Sequence, residues 1–355
     1  MAYQRSEFNR AVSKEMKMGR VPGWGILGTG SISDILTVAI KQSTICKVIA
    51  VMSREKERAL EFSKKHQVPR ACSSLREILA DPEVDIVYVG TPNALHAEQV
   101  IEAARHGKHV LCEKPMASTI DECQSMIAAA KANDVKLGIA YNNRYRPTVT
   151  LAKQVLHERR LGEPVLFRGH FAGRSQRRTW RKEGPLAVGG VVMDMGVHVI
   201  DMTRFLLGKE IVEVSAMADY RKLGHPLDTT VAATLRLEDG MPGFMADSAF
   251  TPYCESVFTV WCEEGILECQ ELFYWFTRGK KGPSIVITTE KGVERKEFEL
   301  DNPYLTEAEA FTRSVSEDTP PDISGEDGLK SMEVALAIQE SCLKGHAVRV
   351  GTQKG

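Results

Sequence analysis

From residue 23 to about residue 140, short and continuously apolar strands alternate with helices, which constrains the fold more than any other feature of the chain. The strands fall at 24–27, 48–52, 71–72, 86–89, 110–112 and 136–140, and the helices at 32–41, 56–66, 75–80, 97–106 and 120–133. A strand that is apolar at every position is covered on both faces. Strand–helix–strand order then predicts a parallel sheet with right-handed crossovers and helices on either side. Ligands of such open sheets bind beyond the carboxyl ends of the strands.

Those ends carry the informative residues. Gly28-Thr29-Gly30-Ser31-Ile32-Ser33 forms the first strand-to-helix turn. Gly28 permits the tight turn, Gly30 lets a pyrophosphate approach the backbone, and Ser33 puts a small residue where a third glycine is common. A pyrophosphate would rest on the helix N-terminus. Residues 21–142 are therefore expected to be a Rossmann dinucleotide-binding domain. The second strand ends in Ser53-Arg54, with Arg58 one turn on. A carboxylate there would suit a free 2′-hydroxyl, whereas a hydroxyl and a guanidinium suit a 2′-phosphate. This favours NADP, with NAD possible. The competing reading pairs Arg54 and Arg58 with Glu55, Glu57 or Glu61 on a solvated helix. After the strand at 86–89, Pro92 fixes a turn in Thr91-Pro92-Asn93. There Asn93 or His96 touches the cofactor, or the turn simply ends the strand. Glu113-Lys114-Pro115 follows the strand at 110–112 and places a primary amine within reach of a dinucleotide and its reaction partner.

The chain has 355 residues, 43% hydrophobic and 26% charged, with net charge -1. Two domains are the default at this length. The charge balance gives no reason to expect nucleic acid or an anionic membrane as partner, and no apolar run approaches a bilayer span. The eight cysteines are scattered with no Cys-x-x-Cys pair, and no histidine cluster has metal-ligand spacing. This predicts a reducing, cytoplasmic setting without a metal. Residues 1–20 mix basic and acidic side chains without an apolar core, which excludes a secretory signal. They form an extension that is an appended helix or a flexible tail, and Glu7 and Glu15 count against an import peptide.

Residues 143–355 read differently. One long helix is expected at 190–207, and strands without intervening helices at 165–171, 211–217, 229–237, 243–249, 257–262, 272–276, 285–289 and 295–300. Several alternate apolar with polar, as antiparallel strands with one covered face do. The fold class is thus α/β, a doubly wound parallel sheet followed by an α+β domain with a large open, mostly antiparallel sheet. The aromatic run at 272–276 is either an oligomer interface or an ordinary core strand. A final helix starts at Gly325 or Glu326 and ends at Leu343, stopped by Gly345.

With these residues in view the chain resembles the glucose–fructose oxidoreductase/inositol dehydrogenase (Gfo/Idh/MocA) family from about residue 23 to 350. The resemblance rests on Glu113-Lys114-Pro115, on the glycine-rich helix from Gly189 to Asp201, on Asn142-Asn143-Arg144-Tyr145-Arg146-Pro147, and on Trp180-Arg181. It implies that Lys114 is the catalytic lysine and that Asp194 and His198 are the acidic and proton-transferring positions. It also implies cofactor contacts at Thr29–Ile32, Ser53, Arg54, Arg58, Gly90–Leu95, Glu113, Lys114, Trp180, Arg181 and, less directly, Tyr304. Members acting on 1,5-anhydrofructose, aldoses or trans-dihydrodiols are the most similar in length and motif. Association through the C-terminal sheet, as a homodimer or homotetramer, is implied as well.

The residues themselves support that chemistry. Asp194 and His198 are four apart, on one helix face, embedded among apolar residues. A carboxylate beside an imidazole raises its pKa and orients it for proton transfer. Oxidation of an alcohol releases such a proton, and Lys114 would polarise the reacting oxygen. Arg144, at the domain hinge, holds a substrate group together with Lys114, Asp194 and His198, or else forms only an inter-domain ion pair. Arg174, Arg177 and Arg178 form a basic loop that closes over the cofactor or is merely solvated. The leading function is an NADP-dependent oxidoreductase on a sugar, polyol or related small molecule. The rivals are a glycosidase using transient oxidation of a retained dinucleotide and a non-catalytic dinucleotide sensor.

Overall fold

The computed structural model describes residues 20–174, 189–222, 227–273 and 282–352. The first half is a sheet of six parallel strands in the order β3-β2-β1-β4-β5-β6. These are β1 (Gly23–Leu27), β2 (Lys47–Met52), β3 (Arg70–Cys72), β4 (Ile86–Val89), β5 (His109–Glu113) and β6 (Leu137–Ala140). Helices α1 (Ser31–Ile40), α2 (Lys56–His66), α3 (Leu75–Leu79), α4 (His96–Arg105) and α5 (Ile120–Ala132) connect them. Every residue of β1, β4 and β6 is buried, which explains their unbroken apolar runs. Strand order reverses between β1 and β4, so their carboxyl ends flank the switch point where this architecture binds ligands.

Beyond β6 comes α6 (Pro147–His157), with Pro147 at its first position, where a missing N–H costs nothing. A nine-stranded sheet follows, in the order β14-β13-β12-β11-β7-β10-β9-β8-β15. Its strands are β7 (Pro164–Arg174), β8 (Ile211–Asp219), β9 (Thr230–Leu237), β10 (Pro242–Ser248), β11 (Phe250–Cys262), β12 (Gly265–Gln270), β13 (Ser284–Thr289), β14 (Gly292–Glu297) and β15 (Val348–Arg349). All neighbours are antiparallel except β7 with β10. Burial alternates strictly along β9, so one face packs and the other is open. The packed face lies on α7 (Val197–Leu207) and on α9 (Gly325–Lys344), which a Ser324–Asp327 capping box starts.

Some expectations change. Residues 190–207 are not one regular helix, because Val192–Gly196 winds as a π-turn before α7 begins. Residues 272–273 form a turn where a strand was expected at 272–276, and an unexpected strand, β12, begins seven residues earlier in the alternating Gly265–Gln270 segment. Leu272 and Phe273 follow it as fully buried core residues rather than interface, and 274–276 lie outside the described residues. Helix α8 (Pro303–Ser316) returns to the first sheet. Phe311 meets the Trp24 ring edge-on at 6.2 Å, and the Trp24 indole donates to Thr312 Oγ1 at 3.2 Å. Residues late in the chain thus complete the covering of the first domain.

Candidate active site

The cofactor end is built from backbone shape. Gly28 has φ +94°, and a Cβ there would sit 2.8 Å from the Gly90 carbonyl oxygen. The β1–α1 turn and the end of β4 therefore press together at the switch point as only glycine allows. Gly30 caps α1 in an extended conformation with no side-chain acceptor over the first N–H groups, so these stay available to an anion. Buried Ser33 lies beneath Gly90, while Thr29, Gly30, Ser31 and Ile32 keep exposed surface around the cradle. These residues fit a dinucleotide pyrophosphate. At the end of β2, Ser53 Oγ accepts from Glu55 N at 3.3 Å and Arg58 pairs with Glu55 at 3.6 Å, while Arg54 is exposed.

Not every expected cofactor contact faces this cradle. His96 has no exposed surface; its ring nitrogens lie 3.1 Å from the Pro115 carbonyl and 3.0 Å from the Thr91 carbonyl. It braces the Thr91-Pro92 turn against the Lys114-Pro115 loop instead of reaching a ligand. Asn93 is also buried, whereas Thr91 and Pro92 keep partly exposed surface. Tyr304 is buried behind the sheet beside Glu113, Glu307 and Asn142, and burial pushes its hydroxyl pKa well up. Glu113 is buried too, accepting from Tyr88 Oη at 2.7 Å and from Lys114 N at 3.1 Å, so it props the Lys114 loop. Trp180, Arg181, Arg177 and Arg178 lie outside the described residues, as does the Arg174 side chain.

Lys114 leaves the carboxyl end of β5 and crosses to the other domain. Its Nζ donates to the Asp194 carbonyl oxygen at 2.7 Å and lies 3.5 Å from Asp194 Oδ1. Asp194 sits inside the π-turn, a distortion that concentrates at functional sites. Asp228 fixes the start of that turn, accepting from Gly190 N at 3.1 Å and Val192 N at 2.9 Å. Gly190 is obligatory there, because a Cβ would lie 2.0 Å from the Asp228 carbonyl oxygen.

His198, at the start of α7, is 4% exposed. Phe273 stacks on its ring at 5.8 Å, and Tyr141 and Phe171 meet it edge-on at 6.3 and 6.1 Å. Its pKa is not raised as the neighbouring carboxylate suggested. Burial first, and the Lys114 charge second, hold it well below the ordinary imidazole value, outweighing Asp194. The Lys114 ammonium meets the Asp194 turn, and His198 follows four residues on from Asp194. Arg144 takes the ion-pair role. Its Nε and Nη2 grip Asp201 at 2.6 to 3.2 Å, and Nη2 also reaches Asp327 at 3.0 Å. Arg144 thereby joins the end of β6 to α7 and α9. No group of three or more His, Cys, Asp or Glu suited to a metal occurs among the described residues. Among them, no helix is long and apolar enough to cross a membrane.

Comparison with known proteins agrees with this geometry. Residues 23–141 match the model of an oxidoreductase family with an NAD-binding Rossmann fold, and residues 149–268 match the GFO/IDH/MocA C-terminal domain. The chain belongs to the Gfo/Idh/MocA oxidoreductase family. It is 30% identical over 332 residues to 1,5-anhydro-D-fructose reductase of Ensifer adhaerens, covering 93% of this chain and 98% of that protein. It is 29% identical to D-xylose 1-dehydrogenase (NADP(+)) 2 of Haloferax volcanii, covering 92% and 99%. The solved aldose-aldose oxidoreductase of Caulobacter crescentus, complexed with glycerol, superposes with TM-score 0.86 at 26% identity, covering 93% and 100%. As a Gfo/Idh/MocA member the chain is an NAD(P)-dependent oxidoreductase.

Within this Gfo/Idh/MocA architecture, sequence reasoning missed the supporting residues. Asp228 gives no local signal, since it anchors the π-turn from a distant loop. Asn143 had one: it lies just past β6, on the ligand edge of the sheet, and its Nδ2 meets His198 Nδ1 at 3.2 Å.

Proposed function

We propose that this protein interconverts a hydroxyl and a carbonyl on a sugar, polyol or related small molecule, with NADP as the preferred dinucleotide. The observation that carries the reading is the meeting of Lys114 Nζ, from the first domain, with the Asp194 turn of the second, His198 following four residues on. A cationic donor at that point stabilises negative charge on the reacting oxygen. The bound dinucleotide supplies the hydride chemistry, held by Gly28–Ile32, Thr91 and Pro92. Exposed Arg54 beside Ser53, with no carboxylate ending β2, supports NADP. The names of the Ensifer and Haloferax relatives, a sugar-derivative reductase and an aldose dehydrogenase, support the substrate class.

The test is a panel of aldoses, polyols and keto-sugars with NADP and NAD, followed at the nicotinamide absorbance band. Turnover on at least one sugar or polyol, lost in Lys114→Ala, is expected. A silent panel, or a fully active Lys114→Ala, refutes the reading. The open face of the second sheet, with Met217 75% and Phe244 42% exposed, supports association through that face as a homodimer or homotetramer. Sedimentation reads that state directly, and a monomer would refute it.

A further inference from the structure

The catalytic histidine is held by a chain of donors and acceptors that leaves one polarity. Arg146 Nη1 donates to Asp301 Oδ1 at 3.0 Å, and Arg146 Nε donates to Asn143 Oδ1 at 2.8 Å. A guanidinium has N–H groups and no acceptor, so the atom of Asn143 that meets it must be the carbonyl oxygen. The amide is thereby oriented by chemistry, and its NH2 faces His198 Nδ1 at 3.2 Å. An amide NH2 only donates, so Nδ1 must carry a lone pair. A neutral imidazole with a bare Nδ1 carries its proton on Nε2, the nitrogen on the side of the ring away from Asn143. Asn143, Arg146 and His198 are 2%, 3% and 4% exposed, so water does not compete for these bonds.

We propose that Asn143 is a positioning residue that holds His198 as the neutral Nε2–H tautomer, so that His198 serves the reacting oxygen as a fixed hydrogen-bond donor and Lys114 carries the proton. This rests on the hydroxyl–carbonyl reading above and deepens it. Protonating Nδ1 would set an N–H against the Asn143 NH2 and add a cation to a site already facing Lys114 and Arg146, with Asp194 the opposing charge among the described residues. Tyr141, Phe171 and Phe273 present aromatic surfaces to the ring. Nε2 already holds a hydrogen, so it cannot take one from an alcohol. In the reductive direction a dinucleotide held by Gly28–Ile32 would supply the hydride for the carbonyl carbon. The oxygen gains its proton as an Nζ–H bond of the Lys114 ammonium breaks, and the amine regains a proton from solvent. Oxidation runs the same transfers in reverse, with neutral Lys114 as base.

The experiment uses the full chain labelled with 15N in histidine. Long-range 1H–15N correlation spectra identify which ring nitrogen is protonated, and loss of one signal in His198→Gln assigns it. Protonated Nε2 and bare Nδ1 are expected, unchanged through neutral pH. A protonated Nδ1, or an imidazolium at neutral pH, overturns the proposal. The spectrum is read on resting protein, so it is independent of whether any sugar turns over; a silent substrate panel would defeat the functional reading alone. Asn143→Ala is expected to lower kcat about 10–100-fold while KM for the dinucleotide stays the same. Asn143→Asp places an acceptor at Nδ1, which should move the proton there and add an imidazole ionisation to the pH profile of alcohol oxidation. A tautomer and pH profile identical to wild type in Asn143→Asp would also overturn it.

Discussion

Removing Arg144 should cost this protein more stability than losing almost any single surface charge, and the cost should depend on pH in a defined direction. The Arg144 and Asp201 side chains are 7% and 2% exposed, and three N–H to oxygen contacts join them. Arg144→Ala leaves the Asp201 carboxylate in the interior without its principal counter-charge. Breaking such a pair costs about 3–5 kcal/mol. Arg204 remains close enough to Asp201 to offset part of this, so the lower end, about 3 kcal/mol, is expected. The stacking of the guanidinium over Phe205, at 4.8 Å, is lost as well. Burial already raises the Asp201 pKa and Arg144 opposes that rise, so removing Arg144 raises it further. A raised carboxyl pKa is a penalty that applies where the group is ionised and fades as it takes a proton. The destabilisation of Arg144→Ala should therefore be largest in mildly alkaline buffer and shrink in mildly acidic buffer. Urea unfolding midpoints at the two conditions measure this. The double variant Arg144→Met with Asp201→Leu removes both charges and should recover most of the loss, a coupling of at least about 2 kcal/mol. A single variant that loses under about 1 kcal/mol, a loss independent of pH, or a double variant no better than the single would refute the argument.

Three further outcomes follow from the site. Lys114→Ala should lower kcat by about 10²–10³-fold while dinucleotide binding, measured by fluorescence titration, is retained; equal loss of both would make Lys114 a binding residue only. Ser53→Asp puts a carboxylate beside Arg54 at the end of β2, and the ratio of kcat/KM for NADP over NAD should fall about 10–100-fold; an unchanged ratio would move 2′-phosphate recognition elsewhere. The pKa of His198 is depressed in the folded protein, so the unfolded chain takes up the proton first as pH falls. Stability is then complete above the ordinary imidazole value of about 6.5 and declines below it, by about 1.4 kcal/mol per pH unit for each such histidine. His96, lowered by burial in the same way, contributes with the same sign. His198→Gln should flatten part of that slope in urea unfolding, and an unchanged slope would show that His198 is not depressed.

How much of this was legible in the sequence depends on how local each cause is. Gly28 and Lys114 announce themselves because a strand end, a turn and a helix start are neighbours in the chain. The first sheet was legible for the same reason: strands buried on both faces have no polar positions to confuse the pattern. Strand β12 was missed because it is half open and alternates, whereas the stronger apolar signal at 272–273 belongs to side chains buried as core rather than to a strand. Helix α8 was not expected; it falls in the stretch assigned to the second domain yet covers the first sheet, a choice made by Trp24 and Phe311, which lie far apart in sequence.

The state of His198 was misread for a sharper version of the same reason. Sequence shows the imidazole one charged neighbour, Asp194, four residues back. Folding adds what chain proximity hides: Lys114 from the other domain, the Tyr141, Phe171 and Phe273 rings, and an amide whose orientation Arg146 dictates. Each of these opposes the imidazolium, by desolvation, by like charge or by offering a donor where the cation would need an acceptor. Residues four apart on a helix identify the participants in this site. Their protonation is set across the domain boundary, by side chains that only the folded protein brings to the same ring.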